Sequence, residues 1–267
     1  MSNTLYNAKQ YVKFSADEFL SMLTTSVFVA VILSMHDLFF NADVTVLESV
    51  QAALLVFVLI LFILLVTVWL CKVVAIRLGY TLRYKEHLIG LFLGFIISFA
   101  SRGFLPIFLP GGFSFEQPER LRVGKFHGLR KGWELGLVAG TFPLVMLAWV
   151  LLFNPLYLMT QSEFYLNAIL IVCLFALYAC IPLPFIERMG GGRLLDLFKY
   201  MRGATFGLDV YYASGAWFIV LCVAVLVFTG LTLLLTSLSV SVGVVIYIVS
   251  LVLGLIGLWV YRQFFKH

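Results

Sequence analysis

Long apolar segments constrain the fold of this chain more than any other feature. Several run for at least 18 residues, which is long enough for a helix to cross the hydrocarbon core of a bilayer. A backbone in hydrocarbon must satisfy its own hydrogen bonds, so we expect helices there and not open strands. The composition agrees, because 63% of the residues are apolar and only 12% are charged. The sequence therefore predicts an all-α polytopic membrane protein.

Six membrane-spanning helices are predicted, and no linker or internal repeat divides the chain. We therefore expect a single membrane domain over residues 1–267. Its first helix is expected to start at Ser15, because Ser15 and Glu18 have the spacing of a capping box. Prolines are expected to kink or end later helices, and these are Pro143, Pro155, Pro182 and Pro184. The predicted spans are approximately 19–40, 50–76, 132–153, 164–186, 210–235 and 240–262.

A shorter apolar segment, 87–110, is interrupted at Ser101, Arg102 and Gly103. It has basic residues on both sides, so a full crossing would place one basic loop outside. A re-entrant excursion keeps every basic loop on the cytoplasmic side, although two packed spans remain an alternative. Irregular backbone at this depth needs protein or a water-filled cavity around it.

The distribution of Lys and Arg predicts that both termini are cytoplasmic. The connections near 41–49, 154–162 and 236–240 contain neither residue, and the positive-inside rule assigns such connections to the outside. We therefore expect a multi-pass integral membrane protein, most simply in the cell membrane. The net charge is +5, and we expect the basic residues of the cytoplasmic loops to contact lipid headgroups. No nucleic-acid partner is expected.

Residues 64–80 read LLVTVWLCKVVAIRLGY. This stretch resembles the metal-binding helix of the site-2 proteases, intramembrane zinc metalloproteases in which H-E-x-x-H precedes a Lys and an apolar run. Aligned on residues 72–75, the five motif positions here hold Thr67, Val68, Trp69, Leu70 and Cys71. Both histidines and the glutamate are missing. The resemblance therefore implies the body of a membrane protease without its catalytic residues.

Three later segments resemble the same family in the same order. Residues 103–113 read GFLPIFLPGGF and resemble the Gly-Gly-containing re-entrant hairpin beside the protease active site. Residues 136–145 resemble the A-G-P-x-x-N helix, with the proline two residues late and the asparagine absent. Residues 180–195 resemble the L-P-x-P-x-x-D-G-G segment, which carries the third metal ligand. Either Glu187 or Gly190 falls on its aspartate, depending on the alignment.

A catalytic zinc site needs three protein ligands, an open position and a general base. Thr67 is not a normal zinc ligand and Val68 cannot transfer protons, whereas Cys71 could supply a thiolate or simply pack. The histidines are scattered without an i, i+4 pair, at His36, His87, His127 and His267. We therefore expect no metal, no cofactor and no catalytic residue at the degenerate positions, which are Thr67, Val68, Cys71, Glu187 and Gly190.

The resemblance implies a catalytically inactive site-2-protease-like protein, a pseudoprotease, that binds or scaffolds membrane partners. Those partners would be membrane proteins or transmembrane segments. An extended edge near 103–113 would receive a client segment by strand addition. Candidates for client binding lie in the two Pro-containing segments, at Pro106, Pro110, Gly111, Gly112, Pro182 and Pro184.

Two other functions remain open from the sequence. The first is an active intramembrane metalloprotease with a non-standard metal site built from Cys71, Glu187 and a loop histidine. The second is a small transporter or channel that uses the polar residues expected at membrane depth, Arg102 and Glu134, because charge is expensive there and often functional. Glu134 also has the spacing to pair with a basic residue one turn earlier in its helix.

Overall fold

The structure is a computed structural model that describes residues 12–41, 45–116, 132–182, 206–234 and 252. The described residues form two compact units. The first unit contains 12–41 and 45–116, and the second contains the remaining described ranges. No linker in the sequence marks this division, which is why a single domain is predicted from the sequence.

Four helices in the described ranges are long and apolar enough to cross a membrane. They are Ala16–Leu33, Val46–Arg77, Glu134–Thr160 and Gly215–Thr232. Two shorter apolar helices, Leu88–Ala100 and Glu163–Ala179, accompany them. The chain is therefore a mostly helical membrane protein, as its apolar segments predict.

The first helix, α1 (Ala16–Leu33), begins where the capping-box spacing predicts. The hydroxyl of Ser15 accepts a hydrogen bond from the N–H of Glu18 at 3.2 Å, which satisfies one of the amides that a helix start leaves unpaired. The helix ends at Ser34, and the short helix α2 (Met35–Phe39) follows. The first predicted span is therefore two helices separated by a turn.

The second long helix, α3 (Val46–Arg77), has 32 residues and is about 48 Å long. It starts with a full capping box, in which the hydroxyl of Thr45 accepts from the N–H of Glu48 at 3.4 Å. In return, the carboxylate of Glu48 accepts from the N–H of Thr45 at 3.2 Å. Because a bilayer's hydrocarbon core is about 30 Å thick, α3 is long enough to extend beyond it.

A small antiparallel sheet accompanies the helices and was not predicted from the sequence. Strand β1 (Thr81–Lys85) pairs with strand β2 (Gly112–Glu116), and Lys85 lies opposite Gly112. Side chains alternate between buried and more exposed along β1, the period of two that strands require. This sheet is the one departure of the described residues from an all-α architecture.

The residues between the two strands, 86–111, form a segment that we call the excursion. It consists of helix α4 (Leu88–Ala100), a turn at 101–104 and a return segment without regular secondary structure, 105–111. The helix has 13 residues and is about 20 Å long. Because Lys85 is paired with Gly112, the excursion leaves and returns at the same end of the sheet.

The far end of the excursion packs against the end of α1. The hydroxyl of Ser98 donates to the carbonyl of Ile32 at 3.2 Å. The carbonyl of Arg102 accepts from Nδ1 of His36 at 3.1 Å. Because the sheet lies near the beginning of α1, the excursion follows α1 along most of its length.

Glycines let the return segment lie directly on α4. A Cβ at Gly94 would overlap the backbone carbonyl of Ile107, and one at Gly90 would overlap the side chain of Leu109. Small residues spaced by four positions permit this close contact in membrane helices. The irregular backbone of the return segment is thereby covered by protein, as membrane depth requires.

The second unit begins with α5 (Gly132–Thr160), which contains Pro143 and Pro155 within its length. It is followed by α6 (Glu163–Ala179) after the two residues 161–162. The connection predicted at 154–162 is therefore mostly helix. Prolines are tolerated inside membrane helices because neighbouring groups compensate for the lost hydrogen bond.

The unit continues with α7 (Phe206–Ala213) and α8 (Gly215–Leu234). Ser214 separates these helices, so the fifth predicted span is also interrupted. The ring of Phe206 stacks on that of Phe142, with centroids 3.9 Å apart and planes inclined by 12°. This contact packs α7 against α5.

Part of the predicted topology falls outside the described residues. The sixth span, 240–262, lies there apart from Val252, and so does the end of the fourth span beyond Pro182. Four of the six predicted spans correspond to helices that are long enough to cross. The fourth predicted span corresponds to α6, whose 17 residues are about 26 Å long.

Candidate functional site

The positions that would carry metal ligands in a site-2 protease lie in the interior of the first unit. Thr67, Val68 and Cys71 are each 0% exposed. Their spacing places them on one side of α3, which packs against α1 and β1. Trp69, which the alignment places inside the motif, is 46% exposed. The helix therefore buries these three side chains in the interior of the first unit.

Within the described ranges, no three His, Cys, Asp or Glu residues are grouped so that they could hold a metal ion. His36 contacts the carbonyl of Arg102 at the far end of the excursion. His87 caps the start of α4. Glu187, Gly190 and His127 lie outside the described residues.

The residue that follows the degenerate motif, Lys72, is the centre of a buried polar cluster. Its Nζ donates to Oε2 of Glu18 at 2.6 Å and to the carbonyl of Lys13 at 3.0 Å. It also lies 4.5 Å from the ring centroid of Phe14, a cation–π distance. An ammonium has three N–H donors, and these three contacts account for them.

Glu18 connects this ammonium to the sheet. Its other oxygen, Oε1, accepts from the N–H of Tyr84 at 3.0 Å. The side chains of Glu18 and Lys72 are 2% and 3% exposed, so the ion pair is shielded from water. Because the N–H of Tyr84 points to Glu18, it points away from β2. We call Glu18, Lys72 and Tyr84 the basal cluster.

Tyr84 extends the basal cluster to the return segment. Its hydroxyl donates to the carbonyl of Pro110 and lies 3.1 Å from the hydroxyl oxygen of Thr25. Burial raises the pKa of the Tyr84 phenol well above its ordinary value. The neutral phenol therefore persists as a donor, and the cluster joins α1, α3, β1 and the return segment.

Three of the residues proposed for client binding, at the end of the excursion and the start of β2, have a structural role. Pro110, Gly111 and Gly112 are buried. Gly111 has φ of 112°, and a Cβ there would overlap the carbonyl of Lys85. This position therefore needs glycine. Pro106 is half-buried, so it is the one candidate in the excursion with appreciable exposure.

The remaining candidates are scattered over the described residues. Arg102 is exposed, lies at the tip of the excursion and has φ of 55°. Glu134 is half-buried near the start of α5. Pro182 is exposed beyond the end of α6, and Pro184 lies outside the described residues. Arg102 and Glu134 belong to different units.

His87 has a local role that the sequence did not reveal. Its Nδ1 accepts from the N–H of Gly90 at 2.9 Å, so the imidazole caps α4 in its neutral form. Burial lowers the pKa of His87. The hydrogen bond from Gly90 also keeps His87 neutral, because both ring nitrogens of a protonated histidine are donors and neither can accept.

The fold and the basal cluster define a class of protein. It is a helical membrane protein in which a buried ion pair holds the base of an excursion between two paired strands. Comparison with models of known protein families, with curated proteins and with solved structures finds no match to this chain.

Proposed function

We propose that this protein is a catalytically inactive relative of the site-2 proteases that binds or scaffolds membrane proteins. The complete burial of Thr67, Val68 and Cys71 is the observation that carries this proposal. A catalytic zinc needs ligands that leave one position open to water. Side chains that are completely buried between packed helices cannot supply such a position.

The excursion supports the relationship independently of the motif. Its two ends meet at the sheet, because Lys85 lies opposite Gly112. Its helix is about 20 Å long, shorter than the hydrocarbon core of a bilayer. We therefore propose that 86–111 is a re-entrant hairpin, entering and leaving on one side of the membrane. It follows α3 and β1 along the chain, and the resemblance likewise implies a hairpin after the metal-binding helix.

Partner binding is proposed at β2 and the adjoining return segment. On the outer edge of β1, the N–H of Tyr84 already bonds to Glu18, so β2 is the strand suited to strand addition. At the other end of the excursion, Phe104 and Leu105 are 76% and 55% exposed. In a bilayer, these side chains would meet lipid or a transmembrane segment.

The membrane orientation is part of the same proposal. Arg77, Arg83 and Lys85 are exposed at the end of α3 and along β1. By the positive-inside rule, this end of the first unit faces the cytoplasm, where anionic lipid headgroups attract basic residues. We propose a multi-pass protein of the cell membrane with six spans and both termini cytoplasmic.

Site-specific photocrosslinking tests the partner-binding proposal. A photoreactive phenylalanine analogue replaces Phe115 in β2, Phe104 at the tip or, as the control, Phe62 on α3, which is 55% exposed. The aromatic shape is kept in each case, so the fold is preserved. We expect protein adducts of defined mass from Phe115 or Phe104 and none from Phe62. Equal adducts from all three positions would show only crowding and would contradict the proposal.

Metal analysis tests the loss of catalysis separately. Protein purified in mild detergent is assayed for zinc before and after treatment with a chelator. We expect substoichiometric zinc and no change in the unfolding temperature on chelation. One zinc per chain, whose removal lowers that temperature, would instead favour an active enzyme with a non-standard site.

A further inference from the structure

Two cysteines from different helices contact one another in the second unit. Cys180 is the residue that ends α6, and Cys222 lies within α8. The thiol of Cys222 is 4.0 Å from the carbonyl oxygen of Cys180, so the two residues are in contact. Both are unbonded cysteines. The sequence gives them no motif, because 41 residues separate them.

The backbone of Cys180 is held in place from a second side. Gly207 of α7 lies against the carbonyl of Cys180, and a Cβ there would overlap it. Both α6 and α7 also pack against α8, the helix that contains Cys222. A disulfide needs both Cβ atoms held at a defined separation. Packing of Cys180 between two helices limits how far its sulfur can move from Cys222.

The two thiols differ in their exposure to solvent. Cys180 is 7% exposed, whereas Cys222 is partly exposed. A reagent arriving from outside therefore meets Cys222 first, and Cys180 is positioned to react with whatever forms on it. Reversible redox sites likewise contain an accessible thiol that reacts first and a second, resolving thiol that then closes the disulfide.

We propose that Cys180 and Cys222 form a reversible thiol–disulfide site, oxidised by a small-molecule disulfide or by a disulfide of another protein. The Cys222 thiolate, having lost its proton to solvent, attacks one sulfur of the oxidant. This forms a mixed disulfide and releases one thiolate. The Cys180 thiol then gives its proton to the released thiolate, and its sulfur attacks the Cys222 sulfur and releases the second thiolate. Two protein thiols are oxidised, and one disulfide is reduced to two thiols after proton uptake.

The closed form links the end of α6 to α8. It would restrain the position from which the chain leaves α6, at Ile181 and Pro182, both of which are exposed. The positive-inside rule puts the basic residues that follow in the cytoplasm, where thiols are normally kept reduced. The dithiol is then the resting form. The site belongs to the second unit, so it does not depend on the proposed function of the first.

Oxidised glutathione serves as the oxidant in a direct test. Whole protein in mild detergent is equilibrated with it, remaining thiols are alkylated, and the unreduced digest is examined by mass spectrometry. We expect a peptide pair joined through Cys180 and Cys222, and a fall in alkylated cysteines from four to two. Dithiothreitol should restore all four. In the Cys173→Ser variant, altered at a buried cysteine of α6, we expect the same joined peptide pair and a fall from three alkylated cysteines to one.

A second variant identifies the order of attack. In Cys180→Ser, we expect a glutathione adduct to accumulate on Cys222, because the resolving thiol is gone. Three results would overturn the proposal: stable glutathione adducts on Cys222 of the wild type, disulfides between two chains, or four alkylated cysteines after equilibration. Each would show that the two sulfurs do not close onto one another.

Discussion

The carboxylate of Glu18 lies 2.6 Å from the ammonium of Lys72, although 53 residues of sequence separate them. Both side chains are buried, and the second carboxylate oxygen holds the N–H of Tyr84. One ion pair thus connects the start of α1, the end of α3 and the first strand of the sheet. The excursion begins at that strand, so its base depends on this contact.

Removing one charge of this pair should destabilise the protein strongly. Glu18→Gln leaves an unpaired buried ammonium, and Lys72→Met leaves an unpaired buried carboxylate. We expect each to lower the free energy of unfolding by about 3–5 kcal/mol, the usual effect of breaking a buried ion pair. Chemical unfolding in mild detergent, followed by circular dichroism, measures both losses.

The double variant Glu18→Gln/Lys72→Met is the matched control. It contains neither charge, yet the amide oxygen of Gln can still accept from the N–H of Tyr84. We expect it to be more stable than either single variant, because buried pairs replaced by neutral groups are often tolerated. Losses that simply add would mean that the two side chains do not interact.

Acidification should weaken the start of α4 through His87. Its pKa is lowered by burial, so protons bind more readily to the unfolded chain than to the folded one. Stability from this group is therefore complete above the ordinary histidine pKa of about 6.5. It declines as the pH falls from there towards the lowered value of the folded state. Unfolding temperatures measured between pH 8 and pH 5 should show this decline.

Asparagine at the same position separates the cap from its titration. In His87→Asn, the side-chain oxygen can still accept from the N–H of Gly90, as asparagine does at helix starts. It carries no titrating group, so we expect the unfolding temperature to depend less on pH than in the wild type. An unchanged pH dependence would assign the decline to other residues.

The start of α1 could be predicted because its signal is local. Ser15 and Glu18 are three residues apart, and the hydroxyl cap forms as their spacing indicates. The side chain of Glu18, however, does not return to the backbone of Ser15 as a capping box would have it. It reaches Lys72 and Tyr84 instead. The partners of the Glu18 side chain are therefore set by a tertiary contact, which the local spacing of residues does not predict.

The basal cluster and the sheet could not be predicted from the sequence for the same reason. A lysine in an otherwise apolar helix signals a buried partner, since charge at membrane depth is rarely unpaired, but it does not identify Glu18. The strands are separated by the excursion, so neither has a neighbouring hairpin turn to reveal it. Pro155 is expected to kink or end its helix, and α5 continues past it to Thr160. Apolar surroundings offer its backbone few alternatives to the helix.

The role of Cys71 can be tested by comparing it with Cys173. Both are buried cysteines within membrane helices, and each should act as a small packing residue. We expect Cys71→Ala and Cys173→Ala to lower the free energy of unfolding by similar amounts, roughly 1–2 kcal/mol, from the cavities left behind. Chelator should leave both variants and the wild type unchanged. If chelation destabilised the wild type but not Cys71→Ala, the thiol would be a metal ligand.

Two glycine substitutions of the same kind should change stability in opposite directions. Gly94→Ala places a methyl group against the backbone carbonyl of Ile107, which belongs to the return segment packed on α4. Overpacking of this kind typically costs about 1–3 kcal/mol. A Cβ at Gly230 in α8 meets nothing within 4 Å, so Gly230→Ala should stabilise its helix by about 0.5–1 kcal/mol. Thermal unfolding of the two variants in the same detergent compares them directly. Stabilisation by both would mean that the return segment does not pack on α4, and the hairpin would then lack the cover that its irregular backbone needs within a membrane.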